Sequence, residues 1–249
     1  MTRTVTAAVL LIGDELLSGR TRDINLQQIG QFLAPVGIDV AEARVVRDDR
    51  DQIVDALNTL RAAHDYVFTT GGIGPTHDDI TADCVAAAFG VSIDIRDDAL
   101  AILEEWYAKS DADLTDARRR MARIPDGASL IANPVTGAPG FQLENVFVMA
   151  GVPKIMRGML EDVAGRLEGG TETQSVTVPA EELREGDIAA ALGEIQQDFE
   201  SVSLGSYPYF NDDGTRGVNI VARSRDADAL HEAEAALRRL VDARGRSAS

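Results

Sequence analysis

The chain has 249 residues, 45% hydrophobic and 26% charged, which can fill the core of one large domain or two modest ones. It carries 24 basic and 41 acidic residues, a formal net charge of −17. This charge argues against a general nucleic-acid binder and against a protein of anionic membrane surfaces. A single cysteine, Cys84, excludes an internal disulfide and a cysteine-based zinc site.

The N-terminal segment predicts a buried strand rather than a targeting signal. Residues 5–12 are apolar, but the run is short and leads directly into Gly13-Asp14-Glu15. Nowhere does the chain contain the roughly 18 consecutive apolar residues that a membrane-spanning helix needs. We therefore expect a cytoplasmic protein with no membrane partner.

Strand and helix patterns alternate along the first two thirds of the chain. Strands are predicted over residues 5–12, 38–46, 65–70 and 145–149. Helices are predicted over residues 23–36, 49–63, 79–89 and 154–167, and a charged, mostly helical stretch over 92–127. Strands separated by helices of this length imply a mostly parallel sheet with helices on both faces, a three-layer αβα fold.

A second, smaller domain is predicted after Gly169-Gly170-Thr171, where the order of elements changes. A strand, a helix, two strands joined by an Asn-Asp-Asp-Gly turn and a final helix give a βαββα pattern. We expect an α/β domain over residues 1–170 and a small α+β domain over residues 171–249.

The most informative segment runs from Thr69 to Thr81 and reads Thr-Thr-Gly-Gly-Ile-Gly-Pro-Thr-His-Asp-Asp-Ile-Thr. It joins a predicted strand to a helix. Its three glycines would let a ligand approach the backbone, and the helix N-terminus would favour an anion such as phosphate. A tight turn with Asp78 or Asp79 as helix N-cap explains the segment equally well. It is neither a dinucleotide fingerprint nor a P-loop.

Acidic side chains follow the first three predicted strands: Asp14 and Glu15, Asp48 and Asp49, and Asp78 and Asp79. The carboxyl ends of parallel strands share one sheet edge, where open α/β sheets bind ligands. A divalent cation that bridged Asp79 to phosphate oxygens would reconcile these acids with an anionic ligand. Alternatively, Asp48 and Asp49 form only a solvated helix start.

Five ordered motifs, residues 13–25, 45–49, 69–81, 133–141 and 151–153, resemble the molybdopterin-binding (MoaB/Mog/MoeA-type) domain family. Within it, the chain most resembles CinA-like proteins and the N-terminal domain of eukaryotic-type FAD synthases. The resemblance covers residues 5–168, and the tail resembles the domain that follows in this branch. Longer CinA proteins continue into a nicotinamide-nucleotide amidase domain, so we expect that activity to be absent.

The resemblance implies a molybdopterin or nucleotide ligand and metal-dependent chemistry at a phosphate or pyrophosphate linkage. This is either nucleotidyl chemistry on molybdopterin or hydrolysis of a dinucleotide such as ADP-ribose or FAD. A non-catalytic binding module is the alternative. Relatives form dimers or trimers, which implies a homo-oligomer.

The same resemblance assigns roles to individual residues. Asp79, Asp48 and Glu15 are the catalytic candidates, and Asp79 and Asp48 would hold Mg²⁺, Co²⁺ or Mn²⁺. The ligand-binding candidates are Gly71, Gly72, Gly74, Pro75, Thr76, Thr81, Asp14, Asn25, Asn133, Gly137, Gly140, Gly151 and Pro153. If the loop cradles phosphate, Gly72→Val should abolish binding and leave the fold intact.

Several other residues are assigned structural roles. Cys84 lies among apolar neighbours and is expected to be buried. Trp106 and Tyr107 are expected to pack. The aromatic segment 206–210 is expected to pack in a core; covering the binding cleft or a subunit interface is the alternative. The arginines at 118–120 and 123 are expected to form a solvated helix face or to pair with the abundant acids, rather than to clamp phosphate.

Overall fold

A computed structural model describes residues 4–248 of the chain. The chain divides into two compact units, Met1–Gly170 and Thr171–Ser249. Among the described residues, no helix combines the length and the apolar character needed to cross a bilayer.

The first unit is built on a six-stranded sheet of order β2-β1-β3-β8-β7-β6. The strands of this unit are β1 (Val5–Ile12), β2 (Ile38–Val46), β3 (Tyr66–Thr70), β4 (Ile93–Ile95), β5 (Arg123–Pro125), β6 (Ser129–Ile131), β7 (Gly140–Leu143) and β8 (Val146–Met149). Strands β2, β1, β3 and β8 run parallel. Strand β7 runs antiparallel to β8, and β6 pairs antiparallel with β7 and so runs in the same direction as β8. The predicted mostly parallel sheet is confirmed.

Helices cover both faces of this sheet. They are α1 (Asp14–Leu17), α2 (Asn25–Leu33), α3 (Arg50–Ala63), α4 (Thr81–Phe89), α5 (Asp97–Ala108), α6 (Asp116–Arg119) and α7 (Pro153–Val163), with 3₁₀ turns after α2, α6 and α7. Along β1, Ala8, Leu10 and Ile12 join one core with α3, α4 and α5. Ala7, Val9 and Leu11 join the opposite core with α2 and α7. This alternation of side chains along β1 produces the predicted three layers.

The segment 92–127 differs from its largely helical prediction. Strands β4 and β5 pair antiparallel within it, on either side of α5 and α6. Strands β6 and β7 were also missed, because they are too short to show a two-residue period and lack the continuous apolar run that marks the equally short β8. Helix α4 begins at Thr81, two residues later than predicted.

The second unit has the predicted βαββα order. Its elements are β9 (Gln174–Glu181), α8 (Glu185–Asp198), β10 (Ser203–Phe210), β11 (Arg216–Ser224) and α9 (Ala227–Ala248). The strands form an antiparallel sheet of order β10-β11-β9, and its core includes Val178, Ile188 and Leu237. Within this unit, Tyr207 is 47% exposed and Phe210 is 81% exposed, so the prediction that these two rings pack in a core is wrong.

Cys84 lies fully buried on α4, as predicted, and burial raises the pKa of its thiol to about 11. The thiolate is the reactive form, so at about pH 8 only about one thiol in 1,000 would be ionised. We expect DTNB to leave the native protein unmodified at this pH and to label one thiol per chain in guanidinium chloride. Stoichiometric labelling of the native protein within minutes would show that this core opens readily.

Candidate functional site

The glycine loop, residues Gly71–Thr76, turns too tightly for side chains at its first two positions. Gly71 and Gly72 have φ values of +102° and +66°. A Cβ on Gly71 would lie 2.1 Å from the carbonyl oxygen of Ile12, and one on Gly72 would lie 2.2 Å from Thr81 Oγ1. Gly72→Val would therefore disturb the loop itself, so the expectation that this variant leaves the fold intact is wrong.

Asp79 braces the glycine loop and does not cap the following helix. Its Oδ2 accepts hydrogen bonds from Thr76 N at 2.8 Å and from Thr76 Oγ1 at 2.6 Å. The residue at the N-cap of α4 is Ile80, and no side chain caps the helix. The interpretation of Asp78 or Asp79 as N-cap is therefore wrong. Asp79 Oδ1 has no hydrogen-bond partner among the described residues and is available to a ligand.

Thr81 holds the glycine loop in its conformation through two hydrogen bonds. Its buried hydroxyl donates to the Gly71 carbonyl oxygen at 2.9 Å, and its backbone N–H donates to the Gly72 carbonyl oxygen at 3.0 Å. The Thr81 N–H is thus already bonded inside the loop and is not free to bind an anion. Thr81 supports the binding surface without forming part of it.

The glycine loop forms one wall of a cleft of about 610 Å³ in the first unit. This volume is typical of small-molecule sites, which span about 300–1,000 Å³. The structure brings nine of the predicted site residues together in its lining: Glu15, Gly71, Gly72, Gly74, Pro75, Asp79, Asn133, Gly151 and Pro153. These residues come from the loops that follow β1, β3, β6 and β8, so the cleft lies at the predicted sheet edge.

Seven predicted site residues do not line this cleft: Asp14, Asn25, Asp48, Thr76, Thr81, Gly137 and Gly140. Several of them support its walls. Asn25 is buried and donates from Nδ2 to the carbonyl oxygen of Gly151 at 2.7 Å. A Cβ on Gly137 would overlap the side chain of Trp106, so close packing requires this glycine.

Asn133 shapes the loop that carries it. Its Oδ1 accepts from the backbone N–H groups of Val135 and Thr136 at 3.0 and 3.1 Å, and its Nδ2 donates to the carbonyl oxygen of Ala138 at 2.7 Å. The amide is thereby held inside the loop it stabilises. The neighbouring Thr136, which was not among the predicted site residues, lines the cleft.

The acids at the end of β2 meet those at the end of β1. Asp48 Oδ2 accepts from the backbone N–H of Asp14 at 2.9 Å. Burial raises the pKa of Asp48, and the nearby carboxylates of Glu15, Asp14 and Asp78 raise it further, against the lowering effect of that hydrogen bond. The Asp14 carboxylate pairs with Arg47 at 2.8 Å, which lowers the pKa of Asp14.

One wall of the cleft comes from the segment that carries α5 and α6, which sequence reasoning assigned to packing and solvent. It contributes Tyr107, Arg118 and Met121. The Arg118 guanidinium carbon lies 5.0 Å from the centroid of the Tyr107 ring, within the range of a cation–π contact. The run of arginines was the only local signal of a cationic wall, and it does not reveal which arginine faces the cleft.

Apolar side chains complete the lining. Ile73, Met121, Ile155 and Met159 face the cleft together with the exposed Val152. Apolar surface beside bare glycine backbone and two carboxylates suits a ligand with a flat ring at one end and a charged group at the other.

The donor set suits a cation that is held jointly with a ligand. Among residues 4–248, no three His, Cys, Asp or Glu side chains group so as to hold a metal ion by themselves. Mg²⁺ commonly binds through one or two carboxylates, with substrate phosphates and water supplying its remaining ligands. Asp79 and Glu15 in the cleft, with Asp48 beside Glu15, fit that mode.

Comparison with known proteins identifies the family. Residues 8–169 match the family described as a probable molybdopterin binding domain, and residues 174–246 match the FAD synthase middle domain. A CinA-like protein of Citrifermentans bemidjiense is 36% identical over 247 residues, which cover 95% of this chain and 58% of that protein. A protein of Thermoplasma acidophilum is 32% identical over 243 residues, which cover 95% of this chain and 91% of that protein. The chain belongs to the CinA-like family.

A solved structure agrees with this assignment. The crystal structure of a CinA protein of unknown function from Thermoplasma acidophilum is 37% identical, with a TM-score of 0.61. The match covers 66% of this CinA-like chain and 99% of that chain. The family resemblance predicted from the ordered motifs is thus confirmed, and its molybdopterin-binding domain is the first unit.

The buried Thr81 hydroxyl gives a direct test of how the loop is held in this CinA-like chain. Thr81→Val keeps the shape of the side chain but removes the donor to the Gly71 carbonyl. We expect the free energy of unfolding to fall by about 1–3 kcal/mol, measured in urea by the fluorescence of Trp106, the single tryptophan.

The matched control is Thr59→Val on the exposed face of α3, where the hydroxyl bonds to the carbonyl of Asp55. It should change the free energy of unfolding by no more than about 0.5 kcal/mol. Equal effects of the two substitutions would contradict the role assigned to Thr81.

Proposed function

We propose that this cleft binds a pterin or nucleotide through its phosphate or pyrophosphate group and catalyses a metal-dependent reaction at that linkage. Two reactions fit this description: nucleotidyl chemistry on molybdopterin, and hydrolysis of a dinucleotide pyrophosphate such as ADP-ribose or FAD. The observation that carries the proposal is the shared lining of the cleft, in which Gly71–Gly74 lie beside Asp79 and Glu15.

The glycine loop supports the binding of a phosphate group. With no side chains at Gly71, Gly72 and Gly74, ligand oxygens can approach the backbone closely. The Thr76 hydroxyl and N–H fix Asp79 on this loop, so the free Oδ1 is held in position before a ligand arrives. Preorganised groups of this kind avoid the cost of ordering during the reaction.

The carboxylates support the metal dependence. Burial raises the pKa of Asp48, and the negative charges of Glu15, Asp14 and Asp78 raise it further. A divalent cation beside these carboxylates would offset both effects. When bound with the ligand, such a cation would neutralise phosphate charge and polarise the linkage. In this proposal, Asp79 and Asp48 hold the cation, and Glu15 faces the reacting group.

A non-catalytic binding module is the second candidate. Asp48 does not line the cleft, and within the described part of the chain no cluster of three acids forms a metal site unaided. A cleft of this kind could retain a pterin or nucleotide without turning it over.

The two functions are separated by incubating the protein with ADP-ribose, FAD or ATP, with and without Mg²⁺, Mn²⁺ or Co²⁺, and measuring AMP release. We expect metal-dependent release that falls about 100-fold or more in Asp79→Asn, because the carboxylate is lost while an acceptor for Thr76 remains. The control, Asp55→Asn, removes one carboxylate from the exposed face of α3 and should leave the rate unchanged.

Other outcomes decide between the alternatives. A rise in melting temperature with nucleotide or molybdopterin but no turnover with any metal would favour the binding module. If no nucleotide or pterin changes the melting temperature, both proposals fail.

A further inference from the structure

We propose that Arg118 is the residue through which this cleft recognises an anionic group, and that it makes the site selective for phosphorylated nucleosides over their uncharged parents. The inference rests on the proposed function for its ligand class, but it concerns binding and does not require turnover. No sequence motif points to this residue, since it lies on α6, outside the loops at the sheet edge.

Arg118 has no carboxylate partner among the described residues, and neither has the exposed Arg120, which lines a smaller adjoining cavity and not this cleft. Arg119 pairs with Glu104 at 3.4 Å, and Arg123 pairs with Asp83. With 41 acidic residues against 24 basic ones, an arginine beside a cleft has many possible partners. Arg118 instead directs its guanidinium to neutral groups, so its charge is available to an incoming anion.

Those neutral contacts hold the guanidinium in place. Its Nη1 donates to the carbonyl oxygen of Asp113, and the Tyr107 ring lies 5.0 Å from its carbon. The Arg118 backbone is fixed as well, because its N–H donates to the Thr115 hydroxyl that caps α6. A side chain ordered before binding loses less conformational entropy when it meets a ligand.

The charges that line the cleft explain why an anion would depend on Arg118 for binding. Of the charged side chains that line the cleft, Glu15 and Asp79 are negative and Arg118 alone is positive. Without it, a phosphate would meet two carboxylates inside a chain of net charge −17. The planar guanidinium can donate two parallel hydrogen bonds to a phosphate, the geometry for which arginine is best suited.

The test compares AMP with adenosine, which share a ring and a ribose and differ in the phosphate. Binding is measured by calorimetry on the full chain without added metal, so that turnover plays no part. We expect AMP to bind more tightly than adenosine, and Arg118→Gln to weaken AMP binding by about 10- to 100-fold while leaving adenosine unchanged. Tyr107→Leu should weaken AMP binding less, because it loosens the guanidinium and leaves its charge.

Arg119→Gln is the matched control. It removes the same charge from the adjacent residue, which lies outside the cleft lining, so AMP affinity should stay within about twofold of the unmodified chain. Unchanged Trp106 fluorescence in each variant would show that the unit remains folded.

The possible results separate this inference from the proposed function. Selective AMP binding that depends on Arg118 in a protein without pyrophosphatase activity would support the inference and refute the proposed hydrolysis of a dinucleotide. Turnover of a dinucleotide together with unchanged AMP affinity in Arg118→Gln would support the proposed catalysis and refute the inference. Equal affinity for AMP and adenosine, equal losses in Arg118→Gln and Arg119→Gln, or no binding of either probe would overturn the inference.

Discussion

The close approach of bare backbone at the ends of β1, β3 and β8 is the constraint on which the site depends. A Cβ on Gly71 would collide with the carbonyl of Ile12, and one on Gly151 would lie 3.1 Å from Gly71 Cα. The Gly71 N–H donates to the Met149 carbonyl at 3.3 Å. Because these strand ends nearly touch, the loops that follow them meet at the cleft, and residues distant in sequence line it together.

The acidic side chains at this sheet edge differ from one another in their contacts. Asp79 accepts hydrogen bonds from Thr76, Asp14 pairs with Arg47, and Asp48 is half-buried, so that burial and then the neighbouring carboxylates raise its pKa. The three strand ends therefore carry acids with three different sets of contacts, although they look alike in sequence. Only contacts formed in the folded chain distinguish them, such as that between Asp14 and Arg47, 33 residues apart.

Sequence reasoning works where local pattern decides the outcome. The limits of β1 and β2 were predicted to the residue, because long buried strands between turn residues leave little ambiguity. It fails where a side chain has several possible partners and only the folded structure decides which contact forms. Asp79 bonds to Thr76 instead of capping α4, since the loop places the Thr76 hydroxyl 2.6 Å away. Arg118 faces the cleft because Tyr107 and Asp113 hold it there, and none of these contacts follows from a run of arginines.

The walls of the cleft thus have two structural origins. The carboxylates and glycines come from loops at the sheet edge, whose conformation is fixed by tightly packed strands. Arg118, Tyr107 and Met121 come from the excursion between β4 and β5, which packs on that edge without belonging to the main sheet. In the proposed mode of binding, the loops at the sheet edge supply the groups for chemistry at the phosphate. The segment between β4 and β5 supplies the Arg118 guanidinium, whose positive charge attracts the phosphate. Because the two sets are carried by different elements, a change in the excursion could alter which ligand is selected while the geometry of the acids and the glycine loop is preserved.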